Sequence, residues 1–209
     1  GAPSKGSVNA VGGEDDAAAA TTSSNTVLGA FWLMGLLNNS SFVIMIASAK
    51  AISAGGVGLV YLCDTFPGLA LKASSPYWFD RVSYRTRMFA CAALMAGSFV
   101  LVALGHTMGI QLLGVALASA QCSMGEASML SLSTRYSPHD GGAAELTAWS
   151  SGTGFAGIFG YAWIVVFHLW GGLSQSLTTL LALVITVAYL CVFFLMLGAP
   201  PPVDNAEEE

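Results

Sequence analysis

Six apolar runs, near residues 27–47, 51–71, 87–105, 109–133, 148–169 and 174–197, limit what this chain can fold into. Each falls in the range of about 17–25 residues that an α-helix needs to cross a hydrocarbon core. A backbone in hydrocarbon must satisfy its own N–H and C=O groups, and none of these runs alternates as a barrel strand would. The expected fold is therefore all-α, a bundle of six transmembrane helices over 27–197. A polar, Ala/Ser/Gly/Thr-rich tail expected to be disordered precedes it at 1–26, and an acidic, Pro-rich tail or linker follows at 198–209. Composition agrees: charged residues make up 9% of the chain, against roughly a quarter in soluble proteins.

The seven Lys and Arg residues orient such a bundle. With the N-terminus cytosolic, Lys5, Lys72, Arg81, Arg85, Arg87 and Arg135 fall on the cytosolic side and Lys50 alone on the other, the bias that sets topology in short loops. Both termini are expected in the cytosol. The acids cluster in the tails, at Glu14 to Asp16 and at Asp204 and Glu207 to Glu209, so the net charge of −5 gives no footprint for nucleic acid. Cys63, Cys91, Cys122 and Cys191 all lie in apolar runs without C-x-x-C spacing and read as buried free thiols.

Two acids stand inside apolar runs: Asp64 in V-Y-L-C-D-T-F-P and Glu126 in S-M-G-E-A-S. A carboxylate at membrane depth costs about 2.5–3.5 kcal/mol even on the lenient insertion scale, so each must face a cavity or a partner. Proton or cation coupling uses a group placed this way. The alternative is a purely structural role, with each acid bonded to Ser, Thr or a backbone N–H and pinning helices together. Lys50, at a span end, is expected to snorkel to the surface.

The loop F-D-R-V-S-Y-R-T-R at 79–87 sets an acid beside an Arg with further cations close by. Asp80 could pair with a guanidinium there, making a gate loop of Asp80, Arg81, Arg85 and Arg87 that braces two helix ends. The plain alternative is a positive-inside loop. His106, His139 and His168 read as turn or interfacial residues. N-N-S and N-S-S at Asn38 to Ser41 match a glycosylation pattern only formally, because they lie within a span.

W-S-S-G-T-G-F-A-G at 149–157 spells the G-x-G-x-x-G of a dinucleotide site, but without the strand before it and the acid about 20 residues after it that such a site requires. The better pattern is Gly152, Ala156 and Gly160, a stripe of small residues on one helix face that admits a neighbouring backbone. No H-E-x-x-H or other metal-ligand spacing occurs, and no nucleophile–base pair is evident. The expectation is no enzyme, no metal and no cofactor. The expected partners are the lipid bilayer and a small-molecule solute.

Several of these stretches together resemble the battenin family, endolysosomal and vacuolar membrane proteins related to the major facilitator transporters. The words are F-W-L-M-G-L-L-N-N-S at 31–40, D-T-F-P at 64–67, A-G-S-F-V-L-V-A at 96–103, S-M-G-E-A-S-M-L-S-L at 123–132 and W-S-S-G-T-G-F-A-G at 149–157. They cover most of 28–197 in the family's order. The 79–87 loop is similar to the D-R-x-G-R-[RK] loop of major facilitator transporters, with Ser83 where that motif has Gly. The resemblance implies the N-terminal half of a transporter on a lysosomal or vacuolar membrane, tied to organelle pH and to basic amino-acid or glycerophosphodiester homeostasis. It places the family's acids at Asp64 and Glu126. The family has roughly twice as many spans, in two pseudo-symmetric halves with the solute site between them. Together with the absence of an initiator Met, this leads us to expect a missing C-terminal half or a partner membrane protein. The competing expectation is a non-transporting six-span scaffold or accessory subunit whose glycine stripe docks a partner helix.

Overall fold

The computed structural model describes residues 25–45, 57–137 and 141–197. Lys5, Lys50, His139 and nearly all of both tails lie outside the described residues. Within them the chain is helical and contains no strand. The helices are α1 (Asn25–Met45), α2 (Val57–Ser74), α3 (Tyr84–Leu104), α4 (Met108–Tyr136), α5 (Ala143–Trp170) and α6 (Gln175–Leu197). All except α2 are long and apolar enough to cross a membrane. At 18 residues α2 is the shortest of the set, and it carries Asp64, Pro67 and Lys72.

Local chemistry sets the helix ends. Ser83 caps α3, accepting from the Thr86 N–H at 3.2 Å, and Ser174 caps α6, accepting from the Leu177 N–H at 3.2 Å. The turn into α5 uses Gly141 and Gly142 at φ 66° and 73°, a region that favours glycine. Gly142 also packs so closely on the Ser133 backbone that a Cβ would overlap it. Both α5 and α6 end in a wider π-helical turn, Val165–Trp170 and Phe193–Leu197. The His168 ring shares a 2.7 Å hydrogen bond with the Leu173 carbonyl just past the first of these.

Several boundaries differ from the sequence expectation. Helix α3 starts before Arg85 and Arg87, so the loop cations expected there lie on its first turn. Helix α2 extends through Lys72, and α5 starts at Ala143, so Trp149 lies inside the helix rather than at its opening. In each case polar residues continue a helix whose apolar run alone had marked its limits. The four cysteines are free thiols as expected, but only Cys91 is fully buried; Cys63 and Cys122 are half-buried and Cys191 is exposed.

Helix α4 is central, lying against α2, α3 and α5, while α6 packs on α3. The core between them is rich in methionine: Met34, Met45, Met88, Met95 and Met129 are buried beside Phe31, Phe99, Leu132, Ile185 and Tyr189. Unbranched thioether side chains fill the irregular gaps between crossing helices. Outward-facing residues such as Leu62, Ile158, Tyr161, Leu169, Val184 and Leu195 are apolar and exposed, the distribution of a bundle solvated by lipid.

Candidate functional site

Pro67 lacks an N–H and crowds the turn before it, so a helix passing through it has backbone groups to satisfy elsewhere. In α2 the next N–H, that of Gly68, donates to Ser119 Oγ on α4 at 2.9 Å. Gly68 lies so close to α4 that a Cβ would overlap Ser123 Oγ and press on Ser119. This contact draws α2 and α4 together at Gly68 and aligns the polar faces of both helices. Asp64, one turn before Gly68, is 7% exposed, and its Oδ1 has no hydrogen-bond partner among the described residues. Glu126 on α4 accepts an ion-paired hydrogen bond from Lys72 Nζ at 2.6 Å.

Both acids line one cavity of about 310 Å³, together with Thr65, Lys72, Ser119 and Ser123. A second cavity of about 310 Å³ meets it at Glu126 and is walled by Asn39 of α1 and by Trp149, Ser150 and Thr153 of α5. The two acids marked in the sequence and the opening of the W-S-S-G-T-G segment therefore share one polar groove among α1, α2, α4 and α5. Such a groove presents a buried carboxylate oxygen that can accept a proton or an ammonium. It also presents a carboxylate–ammonium pair that a charged solute can split.

The partner of Glu126 was not foreseen. The sequence reading places Lys72 among the cytosolic cations, and only the extension of α2 brings it onto the groove; the signal for it is a helix that carries past Leu71. Also missed was a chain of buried amides between α1 and α4. Gln121 Nε2 donates to Asn38 Oδ1 at 2.8 Å, Asn38 Nδ2 to the Cys122 carbonyl at 2.9 Å and Ser41 Oγ to Gln121 Oε1 at 2.8 Å. Asn39 Nδ2 bridges to Thr153 Oγ1 at 3.1 Å. The signal was present in the sequence as four consecutive polar residues, Asn38 to Ser41, inside an apolar span, where each must find a partner.

The 79–87 segment is arranged differently from the expected brace. Asp80 is exposed in a single tight turn, Phe79–Arg81, and makes no ion pair among the described residues. Aromatic rings take up the cation instead: the Arg87 guanidinium lies 4.5 Å from the Phe79 ring centroid and 4.1 Å from that of Tyr84, and its Nε donates to the Val82 carbonyl at 3.0 Å. Arg81 and Arg85 are exposed.

The glycine string divides by helix face. Gly152, Ala156 and Gly160 are buried, whereas Gly154 and Gly157 are exposed and would place a Cβ in open space. The covering helix is α1 of the same chain. A Cβ on Gly152 would overlap the Trp32 carbonyl, one on Gly35 the Trp149 carbonyl, and one on Gly160 would press on Val43. In this arrangement the stripe is occupied and offers no face to another helix.

Comparison with known proteins gives a consistent picture. The family described as CLN3 protein matches residues 29–209. The chain is 35% identical over 177 residues to Protein btn-1 of Neurospora crassa, covering 82% of this chain and 37% of that one. It is 32% identical over 209 residues to Battenin of Canis lupus familiaris, covering 86% and 46% respectively. To Protein BTN1 of Saccharomyces cerevisiae it is 37% identical over 134 residues, 63% of this chain and 31% of the yeast protein. The chain thus spans less than half the length of these relatives.

Proposed function

Because this chain belongs to the CLN3 (battenin) family of multi-pass membrane proteins, we propose that it forms the N-terminal half of a secondary transporter of the lysosomal or vacuolar membrane. The observation that carries this reading is the polar groove among α1, α2, α4 and α5, with Asp64 Oδ1 unpartnered among the described residues on one side and the Glu126–Lys72 pair in the middle. Structure of this kind is costly in a bilayer and is accounted for by a solute or proton path. In transporters built as two repeats the solute lies between them near the midplane, so the groove is the half-site this chain contributes, and a second half of the relatives' length or a partner membrane protein closes it. A basic amino acid or glycerophosphodiester brings the ammonium or phosphate that Asp64, Glu126 and Lys72 would recognise, linking the site to organelle pH. In this proposal Asp80 serves the gate loop in a state where it pairs, with Arg81, Arg85 and Arg87 as its cations.

The test is flux into proteoliposomes under an imposed pH gradient, with Asp64→Asn and Glu126→Gln compared against the unaltered protein. Loss of gradient-driven flux in either variant is the expected result. Unchanged flux in both would remove these acids from coupling.

A further inference from the structure

At the end of the bundle where α3 begins and α4 ends, a cavity of about 570 Å³ is lined by Asp80, Tyr84, Arg85, Arg87, Ser131 and Arg135. Its deepest cation is Arg87, 4% exposed. The two aromatic faces cover that guanidinium, yet among the described residues no carboxylate lies within ion-pair distance and Nη1 finds no hydrogen-bond acceptor. A buried guanidinium without a counter-ion is expensive. Arg135 stands over the other side of the arrangement, 5.1 Å from the Tyr84 ring, and adds a second positive charge at the mouth. Among the described lining residues, three guanidinium groups against the single carboxylate of Asp80 leave a surplus of two positive charges around one concavity. The Tyr84 and Ser131 hydroxyls share one hydrogen bond at 2.8 Å, which leaves one O–H of the pair free to donate.

We propose that this cavity is a binding site for a phosphate monoester, held by Arg85, Arg87 and Arg135 with a hydroxyl from Tyr84 or Ser131. A phosphomonoester carries about −1.5 to −2 charges near neutral pH, which matches the surplus. A phosphodiester or a carboxylate, with one charge, leaves part of it uncompensated. Arginine forks suit phosphate oxygens, and the volume is that of a small-ligand pocket. The site is distinct from the groove among α1, α2, α4 and α5 and does not depend on the transport reading. The same chemistry is offered by a phosphorylated lipid headgroup or by a free phosphate, and the position at the helix ends is open to either.

The full chain, purified into phosphatidylcholine nanodiscs, separates the two sources. In one arm inorganic phosphate and inositol trisphosphate are titrated by thermal shift. In the other, nanodiscs doped with phosphatidylinositol 4-phosphate, phosphatidylinositol or phosphatidylserine are compared by native mass spectrometry for retained lipid. Binding of the soluble anions assigns the site to free phosphate. Retention of the phosphorylated lipid about tenfold or more over the other two assigns it to a headgroup. In either arm Arg135→Gln and Arg85→Gln, both at exposed residues, should each weaken binding about tenfold, while Asp80→Asn should strengthen it. A general loosening of the fold cannot produce that opposite change. Equal retention of phosphatidylserine, indifference to both Arg substitutions, or no binding in either arm overturns the proposal.

Discussion

Gly152, Gly154 and Gly157 sit within six residues of one another in one helix, yet the structure predicts that Ala substitutions will move stability in opposite directions. A Cβ at Gly152 would overlap the Trp32 carbonyl oxygen and crowd the Leu36 N–H at 3.1 Å. Those atoms are backbone and cannot rotate aside, so α1 and α5 must separate. Overpacking a tight contact costs about 1–3 kcal/mol, and a clash with backbone belongs at the upper end of that range. At roughly 2–4 °C per kcal/mol for a chain of this size, Gly152→Ala should lower the melting temperature by about 6–12 °C. Gly154→Ala and Gly157→Ala meet nothing within 4 Å and gain the helix preference of Ala over Gly, about 0.5–1 kcal/mol. They should be neutral or raise the midpoint by a few degrees. The contact is reciprocal, since Gly35 presses on Trp149 as Gly152 does on Trp32. Once one substitution has parted the helices the second costs less, so Gly35→Ala with Gly152→Ala should destabilise by less than the sum of the two. Thermal unfolding in detergent, followed by helical circular dichroism, reads all of these. If Gly154→Ala destabilises as much as Gly152→Ala, or if Gly35 and Gly152 are additive, α1 does not cover the stripe and the packing described here is wrong.

Other predictions concern the groove and the bundle's orientation. Lys72→Ala should change stability by less than about 1 kcal/mol, because the Lys72 and Glu126 side chains are 45% and 39% exposed; the double exchange Lys72→Glu with Glu126→Lys should recover solute binding that either single change abolishes. Asn38→Leu leaves the Gln121 amide without its acceptor and should cost about 1–3 kcal/mol in the same unfolding assay. Ser119→Ala removes the acceptor of the Gly68 N–H, for a loss of about 1 kcal/mol or more beside Pro67. Cysteine introduced at exposed Arg81 or His106 should be labelled by an impermeant maleimide from opposite faces of sealed vesicles, position 81 from the cytosolic one; labelling of both from one face, or of position 81 from the other face, would refute the orientation expected from the Lys and Arg distribution.

The bilayer's demand on backbone hydrogen bonds was readable from apolar run length alone, which is why an all-α membrane bundle followed from the sequence. Period did the same for Gly152, Ala156 and Gly160, because residues four apart on a helix share a face whatever it packs against. Asp64 and Glu126 stood out because the cost of a carboxylate in hydrocarbon depends on its surroundings only after it has been placed there. Tertiary structure decided what each of these met. Nothing in the spacing of residues 72 and 126 says that Lys72 reaches Glu126, since that depends on how far α2 continues and on its close approach to α4 at Gly68. That α1 covers the glycine stripe, and that Arg87 turns to two aromatic rings while Asp80 makes no ion pair among the described residues, are outcomes of helix crossing. A one-dimensional pattern fixes which face of a helix is special; only the packed bundle determines which neighbour that face meets.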